Sequence, residues 1–319
     1  MRSTSVDPFP AARFIKEIGR GKKGARSLSR SDAHDLYAAM LDQRISDLEL
    51  GGVLLAMRIK GESVDEIAGF LDAAEQSFPL LAAPPGEFAP VVIPSYNGSR
   101  QMPNLTPLLA LLLAREGVPV LMHGVTIDPG RVTSAEILRE MAIGPDQSGA
   151  AVAQSFLQKQ PAFMPIEDLA PKMARLLTLR RILGVRNSTH TLVKIMQPFA
   201  CPALRLSSYT HPEYLLMLGD YFSTLAPADR GDVFLMRGTE GETVANLRRA
   251  NQIDWFHQHQ RQTLVEKQAP VEQLPSLPSS AAASTARWIT AALTGSVETP
   301  PAILEQAGHC LRAARALRT

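Results

Sequence analysis

The residues of this chain best suited to chemistry are cations, and they are clustered. Gly19-Arg20-Gly21-Lys22-Lys23-Gly24 has the G-x-G-x-x-G spacing of a dinucleotide loop. No strand pattern precedes it, so the strand–turn–helix context that would seat a pyrophosphate is missing. It reads instead as a loop whose glycines let Arg20, Lys22 and Lys23 approach a phosphate backbone, or as a plain connection between helices. A second cluster follows Asp168. Leu169, Met173, Leu176 and Leu183 define an apolar stripe by steps of three and four, with Arg180 on the stripe and Lys172, Arg175 and Arg181 away from it. The three off-stripe cations suit solvent. An arginine on the packed side needs a carboxylate partner or a cleft to face. Thr106-Pro107 has the form of an N-cap followed by a first-turn proline, a helix start that would offer free N–H groups to a phosphate or simply be capped. His257-Gln258-His259 would diverge on a helix and has no third ligand, so it reads as a surface pair rather than a metal site. No G-x-S-x-G, Walker, H-E-x-x-H or cysteine-nucleophile motif occurs, and hydrolases with those motifs lose support.

The charge pattern points the same way. The chain has 319 residues and a formal net charge of +2, but the sign is segregated. Residues 1–31 hold eight basic and two acidic residues, and residues 169–212 hold seven basic and none acidic, so the remainder is net anionic. Such asymmetry favours an anionic partner: nucleic acid first, phosphorylated metabolites second, membrane surface third. Few aromatics lie among these cations, which argues against base stacking as the main contact. Two cysteines, Cys201 and Cys310, exclude a disulfide framework or a four-cysteine zinc site. The longest apolar run, 108–114, is far short of the roughly 20 residues that span a bilayer, and the N-terminus lacks a signal-peptide core, so a cytoplasmic protein is expected.

The elements that must position these residues fall into two textures. Up to residue 85 the pattern is helical. Ser29-Arg30-Ser31-Asp32 has the form of a capping box, 50–57 forms an apolar face, Lys60-Gly61 is a stop, and Ser63 is a new start. Ala82-Ala83-Pro84-Pro85-Gly86 marks a hinge. Beyond it, β-branched 90–94, helical 105–115 and strand-like 118–122 alternate as in a parallel α/β sheet, with further strands expected at 203–206 and 233–236. A Pro/Ser/Ala-rich connection at 268–285 precedes two helices, near 286–293 and 303–317.

Leu28-Ser29, Met57-Arg58-Ile59-Lys60-Gly61-Glu62-Ser63 and Glu66-Ile67-Ala68-Gly69, followed by an α/β segment, resemble anthranilate phosphoribosyltransferase and its nucleoside phosphorylase relatives. The resemblance implies a small helical domain, residues 1–85 joined in space by about 165–197, and a larger α/β domain, 86–164 and 198–319, with a mainly parallel central sheet. It also implies a homodimer through the helical domain. The active-site motifs depart from the enzymes one after another. Where these carry Gly-Thr-Gly-Gly-Asp, this chain has Ser95-Tyr96-Asn97-Gly98-Ser99. Asn104-Leu105-Thr106 matches their Asn-Ile-Ser, whereas Lys-His-Gly-Asn has become Met122-His123-Gly124-Val125. The magnesium-binding acidic pair aligns with Thr243-Val244, so both carboxylates are lost unless Glu240 or Glu242 substitutes after a shift. The anthranilate-binding arginine matches Arg180, while the substrate histidine is replaced near Ala170.

This pattern of loss resembles a divergent, nucleic-acid-binding branch of the family, and Met236 to Glu242 is similar to that branch in particular. The expectation is a homodimer with a basic groove that binds DNA, with RNA as a second candidate, at phosphates and without strong sequence preference. Arg20, Lys22, Lys23, Arg26, Lys172, Arg175 and Arg181 are the expected backbone contacts. Ser95, Asn104, Thr106, His123 and Arg180 are the expected remnant of the phosphate and substrate pocket, with no catalytic residue, metal or cofactor. Such a protein would be nucleoid-associated. The alternative is an active phosphoribosyltransferase or related nucleoside-transferring enzyme, using Thr106, His123, Arg180, a displaced carboxylate such as Glu242, and magnesium.

Overall fold

Local capping explains where most of the early helices begin. The computed structural model describes residues 8–21, 23–270 and 276–318, so Lys22 lies outside the described residues. In chain order the elements are α1 (Ala12–Ile18), α2 (Arg30–Leu41), α3 (Asp47–Lys60), α4 (Val64–Glu75), β1 (Val91–Ser95), α5 (Thr106–Arg115), β2 (Val120–Gly124), α6 (Ser134–Glu140), α7 (Gly149–Leu157), β3 (Ala162–Pro165) and α8 (Ile166–Leu169). There follow α9 (Pro171–Thr178), α10 (Arg180–Leu183), α11 (Thr189–Leu192), β4 (Leu204–Tyr209), α12 (Pro212–Thr224), β5 (Val233–Arg237), β6 (Ile253–His257), β7 (Gln260–Val265), α13 (Ala282–Leu293) and α14 (Pro301–Ala316). The chain divides into two units, Met1–Pro79 with Ala170–Met196, and Leu80–Leu169 with Gln197–Thr319.

The first unit is helical. α2 packs along α4 and α1 on α3, burying Phe14, Ile18, Leu36, Leu54, Met57, Ile67 and Phe70. Ser46 and Ser63 each close a full capping box, with Glu49 and Glu66. At Ser29 only half of the box forms: its side chain accepts from Asp32 N, and the Asp32 carboxylate takes the Ser29 hydroxyl instead of the N-cap N–H. The buried Glu66 carboxylate is satisfied on both oxygens, by Leu28 N at 2.8 Å, Ser63 N at 2.8 Å and Lys60 Nζ at 2.6 Å. Four hydrogen bonds from one residue, counting its own N–H to Ser63, tie the loop before α2 to the start of α4.

The stripe expected after Asp168 is not one helix. It breaks at Ala170 and again at Leu179, giving α8, α9 and α10. The Thr178 hydroxyl donates to the Arg175 carbonyl at 2.7 Å, competing for an acceptor of the last turn. The interruption turns the faces. Arg180, expected on the packed side, is exposed, and α10 buries no residue. Arg175, expected on the solvent side, is half-buried, and its guanidinium donates to the Met40 carbonyl of α2.

The second unit is built on a seven-stranded sheet of order β3-β2-β1-β4-β5-β6-β7. The first five strands along the chain pair in parallel, and β6 and β7 extend the edge antiparallel. α5 packs with α14, α6 and α13, around a core that includes Leu108, Leu109, Leu113, Ile289 and Ile303. The strands read from sequence at 90–94, 118–122, 203–206 and 233–236 are β1, β2, β4 and β5; β3, β6 and β7 had no clear pattern. His257-Gln258-His259 sits at the β6–β7 hairpin rather than on a helix, with Gln258 and His259 at positive φ and His257 Nδ1 3.0 Å from the buried Asp232 carboxylate. Among the described residues, no helix is long and apolar enough to cross a membrane.

Candidate functional site

In the sheet order β1 has β2 on one side and β4 on the other, so the chain reverses its direction of winding beside β1. In open α/β sheets the crevice beyond the strand ends at such a point is where ligands bind. The loop after β1, residues 96–105, occupies that place, and one hairpin engages the backbone N–H groups of Asn97, Gly98, Arg100 and Gln101. Thr239 and Glu242 pair across a tight turn whose central residues, Glu240 (φ 52°) and Gly241 (φ 95°), are both left-handed. From this turn Glu242 Oε1 accepts from Asn97 N at 2.9 Å and Gly98 N at 2.8 Å. Glu240 accepts from Arg100 N, from Gln101 N at 2.9 Å and from the Ser99 hydroxyl at 3.0 Å. The Asn97 amide and the Ser208 hydroxyl at the end of β4 both donate to the Gly241 carbonyl, at 2.7 and 2.8 Å.

Glycine is required at two of these points. A Cβ on Gly241 would lie 2.1 Å from Asn97 Nδ2, and one on Gly98, at φ 63°, would lie 2.8 Å from the Val132 carbonyl oxygen. Burial pushes the Glu240 carboxyl upward, but the donors from Arg100, Gln101 and Ser99 outweigh it and hold it below the usual carboxylate range.

The expected pocket residues of this unit are buried, and two of them meet through a residue the sequence reading missed. The Ser95 hydroxyl donates to Ser134 Oγ at 2.8 Å, and the Asn104 amide donates to the same oxygen at 3.1 Å. Ser134 opens α6 inside the Thr133–Glu136 capping box, a T-x-x-E pattern that was legible in the sequence. Thr106 is the first helical residue of α5, not its N-cap; Leu105 holds the cap position, and Asn104 Oδ1 accepts the Thr106 N–H at 3.1 Å. The Thr106 hydroxyl is buried without a hydrogen-bond partner among the described residues. The Tyr96 hydroxyl lies 2.7 Å from His123 Nδ1. Burial lowers the His123 pKa to about 3, so the imidazole is neutral, and burial with the charge of Glu167 raises that of Tyr96. Arg180, the fifth expected pocket residue, belongs to the other unit.

The expected phosphate contacts that are described all fall in the first unit but differ in availability. Arg20 folds back on Glu17 at 2.6 Å, and Lys172 is paired with Asp42 at 2.6 Å. Arg175 is engaged by Met40. Arg26 is 70% exposed and 3.9 Å from Glu17. Lys23, Arg180 and Arg181 are exposed with no ion-pair carboxylate among the described residues. On the same unit α3 presents Leu48 (88% exposed), Leu55 and Ile59 at steps of seven and four, beside an apolar hollow of about 280 Å³ lined by Ile15, Ile18, Gly52 and Ala56.

The comparisons with known proteins agree with this architecture. Anthranilate phosphoribosyltransferase (TrpD) from Thermus thermophilus superposes with a TM-score of 0.72, at 21% identity, over 96% of this chain and 90% of that one. The Saccharomyces cerevisiae enzyme, in a complex with PRPP and Mg, superposes with a TM-score of 0.66, at 13% identity, over 97% and 95%. YbiB of Escherichia coli (strain K12) is 45% identical over 302 residues, 94% of this chain and 92% of YbiB. The chain belongs to one family with YbiB, and it has the fold of anthranilate phosphoribosyltransferase. Residues 12–77 match the helical bundle domain of the glycosyl transferase family, the stretch that carries α1 to α4. For this YbiB relative the structural likeness to the two enzymes, at 21% and 13% identity, shows the fold alone.

A magnesium diphosphate does not fit the residues present. Thr243 and Val244 stand where the resemblance to the enzymes placed their carboxylate pair, and the two displaced candidates, Glu240 and Glu242, are turned onto the N–H groups of residues 97–101. Among the described residues no group of three His, Cys, Asp or Glu side chains could hold a metal ion.

Proposed function

We propose that this chain binds nucleic acid, DNA foremost, through its phosphate backbone, as a homodimer and without transferase chemistry. The observation that carries this reading is the set of exposed cations on the helical unit, Lys23, Arg26, Arg180 and Arg181, three of which have no carboxylate partner among the described residues. Leaving like charges unpaired on one small unit costs stability through self-repulsion, and an anionic polymer relieves it. Contacts of this kind hold phosphates and carry no base information, so binding is sequence-tolerant and weakens as salt rises.

Two further features support the reading. The donors that could cradle a sugar diphosphate at the end of β1 are engaged by Glu240 and Glu242. The apolar α3 face of Leu48, Leu55 and Ile59 suits a second copy of the same unit, with Gly51 and Gly52 between them allowing close approach. Fluorescence anisotropy with labelled single- and double-stranded DNA and RNA of unrelated sequence, at several salt concentrations, tests the proposal. Saturable binding with a steep, sequence-independent salt slope is expected. No binding at low salt overturns it.

A further inference from the structure

We propose that Glu240 and Glu242 are built-in anions that occupy the N–H nest of residues 97–101 and thereby exclude phosphate and diphosphate groups from the end of β1. Successive backbone N–H groups turned to one side form a concavity that selects an anion. Here four N–H groups and the Ser99 hydroxyl converge on two carboxylates of the chain itself. The roles are dedicated. Both side-chain hydrogen bonds of Glu242 go to this loop through Oε1, while its Oε2, also buried, has no hydrogen-bond partner among the described residues.

The hairpin is shaped for this task. A non-glycine residue in the left-handed region is uncommon and costs energy, yet Glu240 adopts φ 52° directly before Gly241, where only glycine clears the Asn97 amide. That turn points two carboxylates, two residues apart, at two successive pairs of loop N–H groups. Asn97 locks the pair by donating its side-chain amide to the Gly241 carbonyl while its backbone N–H goes to Glu242. A phosphoryl group entering here would meet two negative charges, with these four donors already taken. The closure is a property of the second unit alone and holds whether or not the first unit binds nucleic acid.

The test is a titration of inorganic diphosphate into the full-length protein and its E240A, E242A, E240A/E242A and E240Q/E242Q variants, by calorimetry and by thermal melting. The wild-type protein is expected to show only the weak, salt-screened diphosphate binding of the exposed cations of the first unit, equal in every variant. The double alanine variant, with the nest open, is expected to bind diphosphate at least about tenfold more tightly than wild type, with a melting temperature that rises with ligand. The double glutamine variant keeps carbonyl acceptors in place and is expected to gain less. A double alanine variant that melts cooperatively but binds no better than wild type overturns the proposal, as does diphosphate binding by the wild type equal to that of the variant. Should the double variant fail to fold, hydrogen exchange of the 96–102 peptide in the wild-type protein decides. Slow exchange unaltered by diphosphate supports an occupied nest, and protection that appears only on adding diphosphate refutes it.

Discussion

The sharpest consequence of the proposed function concerns Arg180 and Arg181. Both side chains are exposed and have no carboxylate partner among the described residues, so neither must give up an ion pair to reach a phosphate. Each phosphate contact to duplex DNA adds about 0.9 to the slope of log K against log salt, so a fourfold rise in salt costs about 3.5-fold in affinity per contact. Replacing both arginines by alanine therefore removes a slope of about 1.8. Between about 50 and 200 mM salt the variant should lose about 12-fold less affinity than the wild type for each chain engaged. Lys172 supplies the contrast. It is paired with Asp42 at 2.6 Å, so Lys172→Ala should leave the slope nearly unchanged, even though it too removes a positive charge. The assay is fluorescence anisotropy on two unrelated duplex sequences across a salt series. An R180A/R181A slope equal to that of the wild type would remove this turn from the interface, and a flattened slope in Lys172→Ala but not in R180A/R181A would invert the ranking.

Three other outcomes follow from the geometry. Leu55→Glu with Ile59→Glu should convert the proposed dimer to a folded monomer in sedimentation, because both side chains are exposed on the single chain; a dimer that persists would place the contact elsewhere. Gly241→Ala should lower stability by about 2–6 kcal/mol, combining a strained φ with a clash on Asn97, and an unchanged denaturant midpoint would refute that. His123 is neutral when folded, with a pKa lowered by burial to about 3 against 6.5 unfolded, so its contribution is full above pH 6.5 and is lost as pH falls toward 3. The loss should be about 1.4 kcal/mol per pH unit below 6.5, measured by denaturant midpoints, and His123→Gln should flatten it; an equally steep fall in that variant would assign the acid sensitivity to other groups.

What the sequence determined by itself was much of what rests on neighbours within a few residues. The start of α4 at Ser63 with Glu66, the stop of α3 at Gly61 and the apolar face of 50–57 are local, because capping and helical periodicity act over three to four positions. The buried parallel strands β1, β2, β4 and β5 were legible as short β-branched or apolar runs, whereas β7, with exposed polar residues at the sheet edge, and β6 beside it, where apolar and polar residues mix, were not.

Only the tertiary structure decided which cations are free and what fills the loop. Arg175 and Arg180 exchanged their expected faces because the helix is interrupted at Leu179 and because Met40, 135 positions away, offers a carbonyl to Arg175. Glu240 and Glu242 looked like displaced metal ligands, but whether a carboxylate meets a cation or an N–H group depends on which loop folds against it. The Asn97–Glu242 hydrogen bond spans 145 positions, a separation at which no local propensity operates. Such pairings are set by the order of the strands: β1 and β4 lie side by side, so the loop after β1 and the Ser208 end of β4 converge on one hairpin and satisfy its carbonyl and carboxylates together.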